Sequence, residues 1–500
     1  MMTFSEKVTL QGICIETLSH TTAHGVSSIL RSKSRFQRNC WIIFVFFVIA
    51  STVWQCSELI VSFLQYPSQE KVTLVNSARV KFPAVTFCNL NRLRKSLINS
   101  KYSFLKKELP FLDDSVHGHS NETNSQEALS HDYNRLGYAL SRLSPEQQKE
   151  VGHQLEDMLI SCNFHGKECD KSFFSSFLNH KFGNCYTFNS LVQMSNRGQL
   201  RRRDVLNATK AGFSYGLTME LFIEQEEYFQ QLSHAAGLRL VIHDQKDMPF
   251  PEDDGVNVPP GQEADVAIVK LHVHRLKAPY GSNCSNGEEI HNYYRDKYKV
   301  GYTQEACKKT CGQMYIINNC GCGLWEFPFP KGQNIPFCNI SNGEINQCVQ
   351  LYEDKFAHDE LECNCAPQCE EEIFELTLSS SQWPSAVYMD EFAWKLRQSG
   401  GKLSKAADNI RDNVLKVVIN YQQLNYELIE EAPAFQAIDL VSSIGGLVGL
   451  WIGVSICTVA EFFELLIKVT TFTVNRLLWR KKGAPLNPYM ITHQSFRTSV

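Results

Sequence analysis

Leu440–Ala460 reads LVSSIGGLVGLWIGVSICTVA, 21 residues without a charge. As a helix such a run covers about 30 Å, the thickness of a bilayer's hydrocarbon core. The run is not built like a passive anchor. Gly445, Gly449 and Gly453 recur every four residues and share one helix face, which Cys457 and Glu461 extend. Small residues at that spacing let helix backbones approach closely in lipid, where no water drives apolar surfaces together. Glu461 and Glu464 follow on the same side, and a carboxylate near a bilayer is costly unless it faces water or a bundle interior. The stripe reads as the wall of a cation pore. An oligomerising anchor with both glutamates in the headgroup region carries the same pattern.

A second apolar run, CWIIFVFFVIASTVW (Cys40–Trp54), continues through Gln55 and Glu58 to Leu64. Close to 40 residues precede it and no small-residue cleavage site follows, so it reads as a membrane span and not as a cleaved signal. Two spans put both termini on one side. Arg31, Lys33, Arg35 and Arg38 precede the first, and Arg476, Arg480, Lys481 and Lys482 follow the second, which predicts cytoplasmic termini. The predicted organisation is a cytoplasmic tail (1–38), a first transmembrane helix (39–64), an extracellular domain (65–436), a second, pore-lining helix (437–468) and a cytoplasmic tail (469–500).

Two features agree with that topology. The sequons at Asn121, Asn207, Asn283 and Asn339, candidate glycosylation sites, all fall between the spans. So do 14 of the 18 cysteines, an even number that suits an oxidising compartment. Cys14, Cys40, Cys56 and Cys457 read as free thiols. The formal net charge of −4 argues against a general nucleic-acid binder.

Between the spans the pattern is mixed α and β. FPAVTFCNLN (Phe82–Asn91), Leu238–His243, Asp265–His274 and Val414–Ile419 read as strands. Leu105–His165 reads as helical, with Ser144–Gln148 as a capped start, and residues 113–130 as an acidic loop. Cys307 and Cys311 lie one helical turn apart, and Cys363 and Cys365 alternate as on a strand, so a ladder of bridges between the two fits both periods. Each bridge contributes roughly 2–4 kcal/mol, mostly by limiting the unfolded chain. A zinc cluster calls for a reducing compartment or histidines at ligand spacing, and neither is evident. His272 and His274 alternate on a strand and read as packing or surface residues. Nothing in the sequence points to catalysis, and no metal or other cofactor is expected: the chain has no H-E-x-x-H or P-loop.

Several segments together resemble the degenerin/epithelial sodium channel superfamily, most closely its acid-sensing branch. They are His24 with Gly25 before the first span, FPAVTFCNLN after it, Cys162-x-F-x-G-x-x-Cys169, FGNCYTFN, the C-x3-C…C-x-C block, QLNYELIEE, and SSIGGLVGLWIGVS followed by Glu461 and Glu464. The match runs nearly end to end. It implies a ligand-gated, sodium-selective, amiloride-sensitive homotrimer or heterotrimer in the plasma membrane, with a hand-shaped, disulfide-rich extracellular domain.

The resemblance also implies seven disulfides: Cys88–Cys185, Cys162–Cys169, Cys284–Cys369, Cys307–Cys365, Cys311–Cys363, Cys320–Cys348 and Cys322–Cys338. The family's G-x-S selectivity motif falls on Gly453, Val454 and Ser455, where a helix break would turn carbonyls toward an ion. Glu461 and Glu464 would form acidic rings below it, and His24 and Gly25 would lie in a re-entrant loop at the cytoplasmic mouth. Tyr66 and Tyr280 match an aromatic pair at the wrist, Leu424 and Asn425 a linker that rearranges in desensitisation, and Asp354 a thumb carboxylate.

The pattern departs from acid-sensing relatives where protons would act. Pro67 and Ser68 replace a histidine pair, Leu74 a palm glutamate, Gln350 a thumb carboxylate and Ser443 an aspartate at the pore entrance, while the finger segment QQLSHAAGL (Gln230–Leu238) carries no carboxylate. Glu427, Glu430 and Glu431 remain, so a trimer would gather nine such carboxyls that titrate together. Opening by protons at low apparent affinity is the expectation. A peptide-gated or constitutively active relative, or a non-conducting two-span receptor, are the alternatives. Thr498, Ser499 and Val500 could add a strand to a PDZ scaffold, the alternative being an unstructured tail.

Overall fold

The computed structural model describes residues 10–19, 21, 25–112, 126–193, 201–202, 205–288 and 292–482. The chain divides into two units, residues 1–69 with 433–500, and residues 70–432. The first unit begins with helices α1 (Leu10–Ser19), α2 (Val26–Arg31) and α3 (Arg35–Leu64). The basic tail expected over 1–38 is thus partly helical. At 30 residues α3 is long enough to cross a bilayer and has a mean hydropathy of 1.9. Phe36, Ile43, Phe46, Phe47 and Trp54 are exposed around it, so it turns apolar side chains outward as a lipid-facing helix does.

The second unit holds thirteen strands in two main sheets. They are β1 (Ser68–Val75), β2 (Ala84–Asn89), β3 (Leu159–Phe164), β4 (Lys167–Glu168), β5 (Phe174–Asn179), β6 (Gly183–Phe188) and β7 (Leu217–Phe222). There follow β8 (Leu238–His243), β9 (Val256–Val258), β10 (Gln262–His274), β11 (Glu370–Gln382), β12 (Val414–Tyr421) and β13 (Tyr426–Pro433). The eight-stranded sheet runs β1–β13–β10–β12–β7–β3–β4, with β11 also paired to β10. The five-stranded sheet runs β9–β8–β2–β6–β5.

The burial of each strand follows its sequence. VLKVVINY in β12 is apolar on both faces and lies centrally, parallel to β10 and antiparallel to β7. β10 alternates buried and half-buried residues, the period-2 pattern of a strand with one face in the core. One core joins both sheets through Phe82, Phe87, Phe188, Met219, Ile268 and Tyr421. Each fully buried phenylalanine there stabilises by roughly 1.5–3 kcal/mol.

Helices α4 (Gln126–Ser141) and α5 (Pro145–Val151) pack apart from that core. The start at Ser144 is a full capping box, with Gln147 reciprocating and Pro145 in the first turn. Helical structure ends earlier than expected, at Met158, and Leu159–Phe164 is a strand. Ile160, Cys162 and Phe164 put an apolar side chain at every second position, which a strand uses and a helix does not. Residues 113–125 lie outside the described residues, and helix has begun by Gln126, inside the expected loop.

Helices α6 (Gln304–Cys320) and α7 (Gly343–Ala357) are capped by Thr303 and Asn342. Their small core of Ile316, Leu324, Ile340 and Val349 is stapled by Cys320–Cys348 and Cys322–Cys338. Cys307–Cys365 and Cys311–Cys363 bind the other face of α6. Cys363 and Cys365 are not on a strand. Their amides donate to Leu361 and Cys363 carbonyls two residues back, an irregular ribbon that still points both sulfurs at α6. Cys88–Cys185, Cys162–Cys169 and Cys284–Cys369 make the total seven. Cys14, Cys40, Cys56 and Cys457 are free.

The first unit ends with α8 (Ala437–Ile452) and α9 (Ile456–Lys482). Helix therefore runs beyond residue 468, the expected end of the second span.

Candidate functional site

The uncharged run at 440–460 is not one helix. α8 starts on a box in which Gln436 and Asp439 cap each other, and it stops at Gly453. Gly453 sits in the left-handed region with φ 69°, its amide donating back to the Gly449 carbonyl at 3.0 Å. That is the usual glycine stop of a helix. Ser455 then restarts α9: its amide donates to Thr458 Oγ1 at 3.1 Å, and the Thr458 amide donates to Ser455 Oγ at 3.4 Å. The two helices meet at 75°. Together they form a broken span or a re-entrant turn, so α3 is the only unbroken helix among the described residues that is both long and apolar enough to cross a membrane.

The break overturns one sequence reading. Gly445 and Gly449 lie on α8 and Gly453 is its cap, but Cys457 and Glu461 belong to α9 and do not extend the glycine stripe. The last carbonyls of a helix lack intrahelical amide partners, and here the Gly453 carbonyl lies 3.4 Å from the Thr458 hydroxyl.

Two contacts brace this turn. Trp451 Nε1 donates to Gln55 Oε1 at 2.9 Å, tying the last turn of α8 to α3. Thr21 Oγ1 donates to Glu461 Oε2 at 2.9 Å, so Glu461 is held. Glu464 instead meets Lys468 at 2.7 Å as an exposed i,i+4 pair, worth only about 0.3–0.5 kcal/mol. Gly25 has φ 85° and lies against α3, where a Cβ would come within 2.4 Å of Val45 Cγ2. His24 lies outside the described residues, as do Asn121 and Thr498 to Val500.

The second unit carries the gating candidates. Glu427, Glu430 and Glu431 lie on β13, but successive strand residues face opposite sides. Glu427 and Glu431 share one face and Glu430 takes the other, so they are not one cluster. Glu431 is occupied, accepting from the Leu276 amide at 2.8 Å and from Ser282 Oγ at 2.5 Å. Glu430 pairs in register with His274 on β10. The His274 ring stacks on His272 at 4.5 Å and 7°. Across β11, His272 faces Glu372 and His274 faces Glu370, while Lys270 meets Glu372 at 2.7 Å. Burial, and after it the His274 charge, push the His272 pKa down.

Leu424 and Asn425 form the short connection between β12 and β13, with Leu424 packed on the main core. Tyr66, in the first unit, has φ 48° and its ring lies 6.2 Å from Phe63. Tyr280, in the second, donates its amide to the Lys277 carbonyl in a turn. Asn207 and Asn283 are exposed, and Asn339 is half-buried.

Asp354 lies on α7 beside Glu353, which accepts from Asn134 Nδ2 of α4 at 3.3 Å. The two helices meet at a cavity of about 240 Å³ that also takes in His180, Trp325 and Glu326. Burial lifts both glutamates to about 7, and the charge of Glu353 adds to the shift of Glu326. Burial pushes His180 down to about 4, which leaves it neutral there. Sequence reasoning missed Glu326, Gln55, Thr458 and the role of the histidine pair. A readable signal existed for two of them: a glutamine inside an apolar run, and the Ser-x-x-Thr spacing after Gly453.

Comparison with known proteins follows the same line. Residues 17–465 match the family model described as "Amiloride-sensitive sodium channel". Acid-sensing ion channel 1A of Danio rerio is 29% identical, the alignment covering 92% of this chain and 89% of that protein. The FMRFamide-activated amiloride-sensitive sodium channel of Cornu aspersum is 28% identical over 98% of this chain and 88% of its own length. Epithelial sodium channel subunit gamma-2 of Xenopus laevis is 27% identical over 92% and 81%.

Proposed function

The chain belongs to the amiloride-sensitive sodium channel family, and from that premise we propose that it is a pore-forming subunit opened by extracellular protons at low apparent affinity. The subunit works as a homotrimer or heterotrimer in the plasma membrane, with both termini cytoplasmic and residues 65–436 outside, carrying glycans at its exposed sequons. The observation that carries the pore assignment is the Gly453–Ser455 break between two apolar helices, with Glu461 held on the next turn. Carbonyls there replace the water of a sodium ion, and Glu461 concentrates cations beside them.

Low proton affinity follows from the groups that titrate. His272 holds its proton poorly, so its charging calls for pH below the ordinary histidine range near 6.5. A charge on the His272 ring, stacked at 4.5 Å on His274, can shift a closed–open balance by a few kcal/mol.

A peptide-gated reading is the alternative, favoured by a specific observation: the FMRFamide-activated relative matches as well as the acid-sensing one. One experiment separates them. The chain is expressed in oocytes under voltage clamp and stepped from pH 7.4 to 5, with and without amiloride. An inward, amiloride-sensitive sodium current supports proton gating. Current only with amidated peptides supports the alternative, and none under any stimulus, with the protein at the surface, favours a receptor without conductance.

A further inference from the structure

Thr458 lies three residues beyond the motif at 453–455 and is completely buried. Its hydroxyl accepts the Ser455 amide at 3.1 Å. The one hydroxyl proton points to either of two acceptors at 3.4 Å, the Gly453 carbonyl or Ser455 Oγ. The Thr458 amide closes the ring by donating to Ser455 Oγ. A single side chain thus touches both ends of the three-residue break. The bonds to Ser455 are those of a reciprocal helix cap, with threonine in the place glutamate or glutamine usually takes. The bond to the Gly453 carbonyl is additional, and a cap does not need it.

We propose that Thr458 is a positioning residue for the selectivity motif, setting the height and direction of the Gly453 carbonyl and of Ser455 through its hydroxyl. This rests on the pore assignment above. The physical reason is rigidity. Gly453 has no side chain to hold it, and its left-handed backbone leaves the following peptides without helix partners. A filter discriminates ions only if its oxygens keep their spacing as the ion changes. A short, buried, β-branched side chain restricted at χ1 holds that spacing better than a long one. The hydroxyl's single proton also couples the two ends, because donating it to Ser455 Oγ releases the Gly453 carbonyl to an ion.

The test uses full-length protein in lipid nanodiscs and in oocytes. Thr458→Val keeps shape and removes the hydroxyl, and Thr458→Ser keeps the hydroxyl. Hydrogen exchange at the Ser455 amide is expected to rise on the order of tenfold in Thr458→Val and to stay near wild type in Thr458→Ser. Sodium-over-potassium selectivity is expected to fall at least about threefold in the first and to be retained in the second. Wild-type exchange and reversal potential in Thr458→Val overturn the proposal. Where Thr458→Val does not assemble, Thr458→Cys replaces it, its thiol being too long and weak a donor to close the ring, and the same two outcomes decide. The pore assignment fails separately, if Ser455→Cys leaves selectivity unmoved; the exchange measurement then still decides whether Thr458 holds the break.

Discussion

His274 stands directly opposite Glu430 where β10 and β13 run parallel, and its ring is stacked on His272. Because burial depresses the His272 pKa, this face of the sheet resists its proton until pH drops below the ordinary range. The sign follows from linkage. A histidine whose folded pKa is lowered charges more readily elsewhere, so acid below about 6.5 weighs against the conformation seen here. The facing groups are Lys270, Glu370, Glu372 and Glu430. Changing both rings to glutamine should move acid activation to lower pH by at least about 0.3 unit and flatten its slope. Unchanged pH–current curves at equal surface expression would remove the pair from the sensor.

The cavity between α4 and α7 has the opposite sign. Glu326 and Glu353 keep their protons to about 7 in the folded chain, against about 4.3 for a free glutamate. Between those values the native state binds more protons, so it loses stability as pH rises from 4.3 to 7 and changes little above. Glu353→Gln, a permanent mimic of the protonated form, should raise the Tm by about 2 °C at pH 8 and leave it unmoved at pH 5. Thermal unfolding at the two pH values checks this, and an equal shift at both would assign the effect to something other than titration.

Selectivity should depend on the break and on the carboxylate held beside it. Ser455→Cys and Glu461→Gln are expected to change sodium-over-potassium selectivity or unit conductance by about twofold or more. Thr21→Val, which removes the hydroxyl bonded to Glu461, should give a milder form of the same change. Glu464→Gln should do less, since Glu464 is exposed and spent on Lys468, and Glu288→Gln should do nothing. Bi-ionic reversal potentials and single-channel records read all five.

Gly25 tolerates no side chain. Alanine there would combine a left-handed backbone, about 1–2 kcal/mol unfavourable, with a Cβ 2.4 Å from Val45 Cγ2. Current per surface channel should fall more than about tenfold in Gly25→Ala. Adding Val45→Ala should restore part of it, because that removes the clash and leaves the backbone cost. Restoration to the full wild-type level would show that the backbone conformation at Gly25 costs nothing.

How much of this was legible beforehand depends on the range of the interaction involved. The long apolar helix at α3, the strand at Leu238–His243 and the cap at Ser144 depend on residues within a turn or two of one another, and all three were readable. The stop at Gly453 is also local. Yet a glycine in an apolar run is equally at home inside a membrane helix, so periodicity carried the stripe across it, and only the resemblance to a family pointed to a break there.

The remaining features required the fold. Cys88 and Cys185 are 97 residues apart and become partners because β2 and β6 pair in register. Spacing alone allowed many other pairings. Glu430 parts company with Glu427 and Glu431 because strand period turns it to the other face, and it gains His274 because β13 chose β10 as a neighbour. Glu326 looks like any surface glutamate until α4 and α7 bury it. The sequence by itself determined what each segment could be, because apolar length, caps and alternation act between neighbours along the chain. The tertiary structure alone decided which charges meet and which carboxyls keep their protons, because register and desolvation arise between segments distant in sequence.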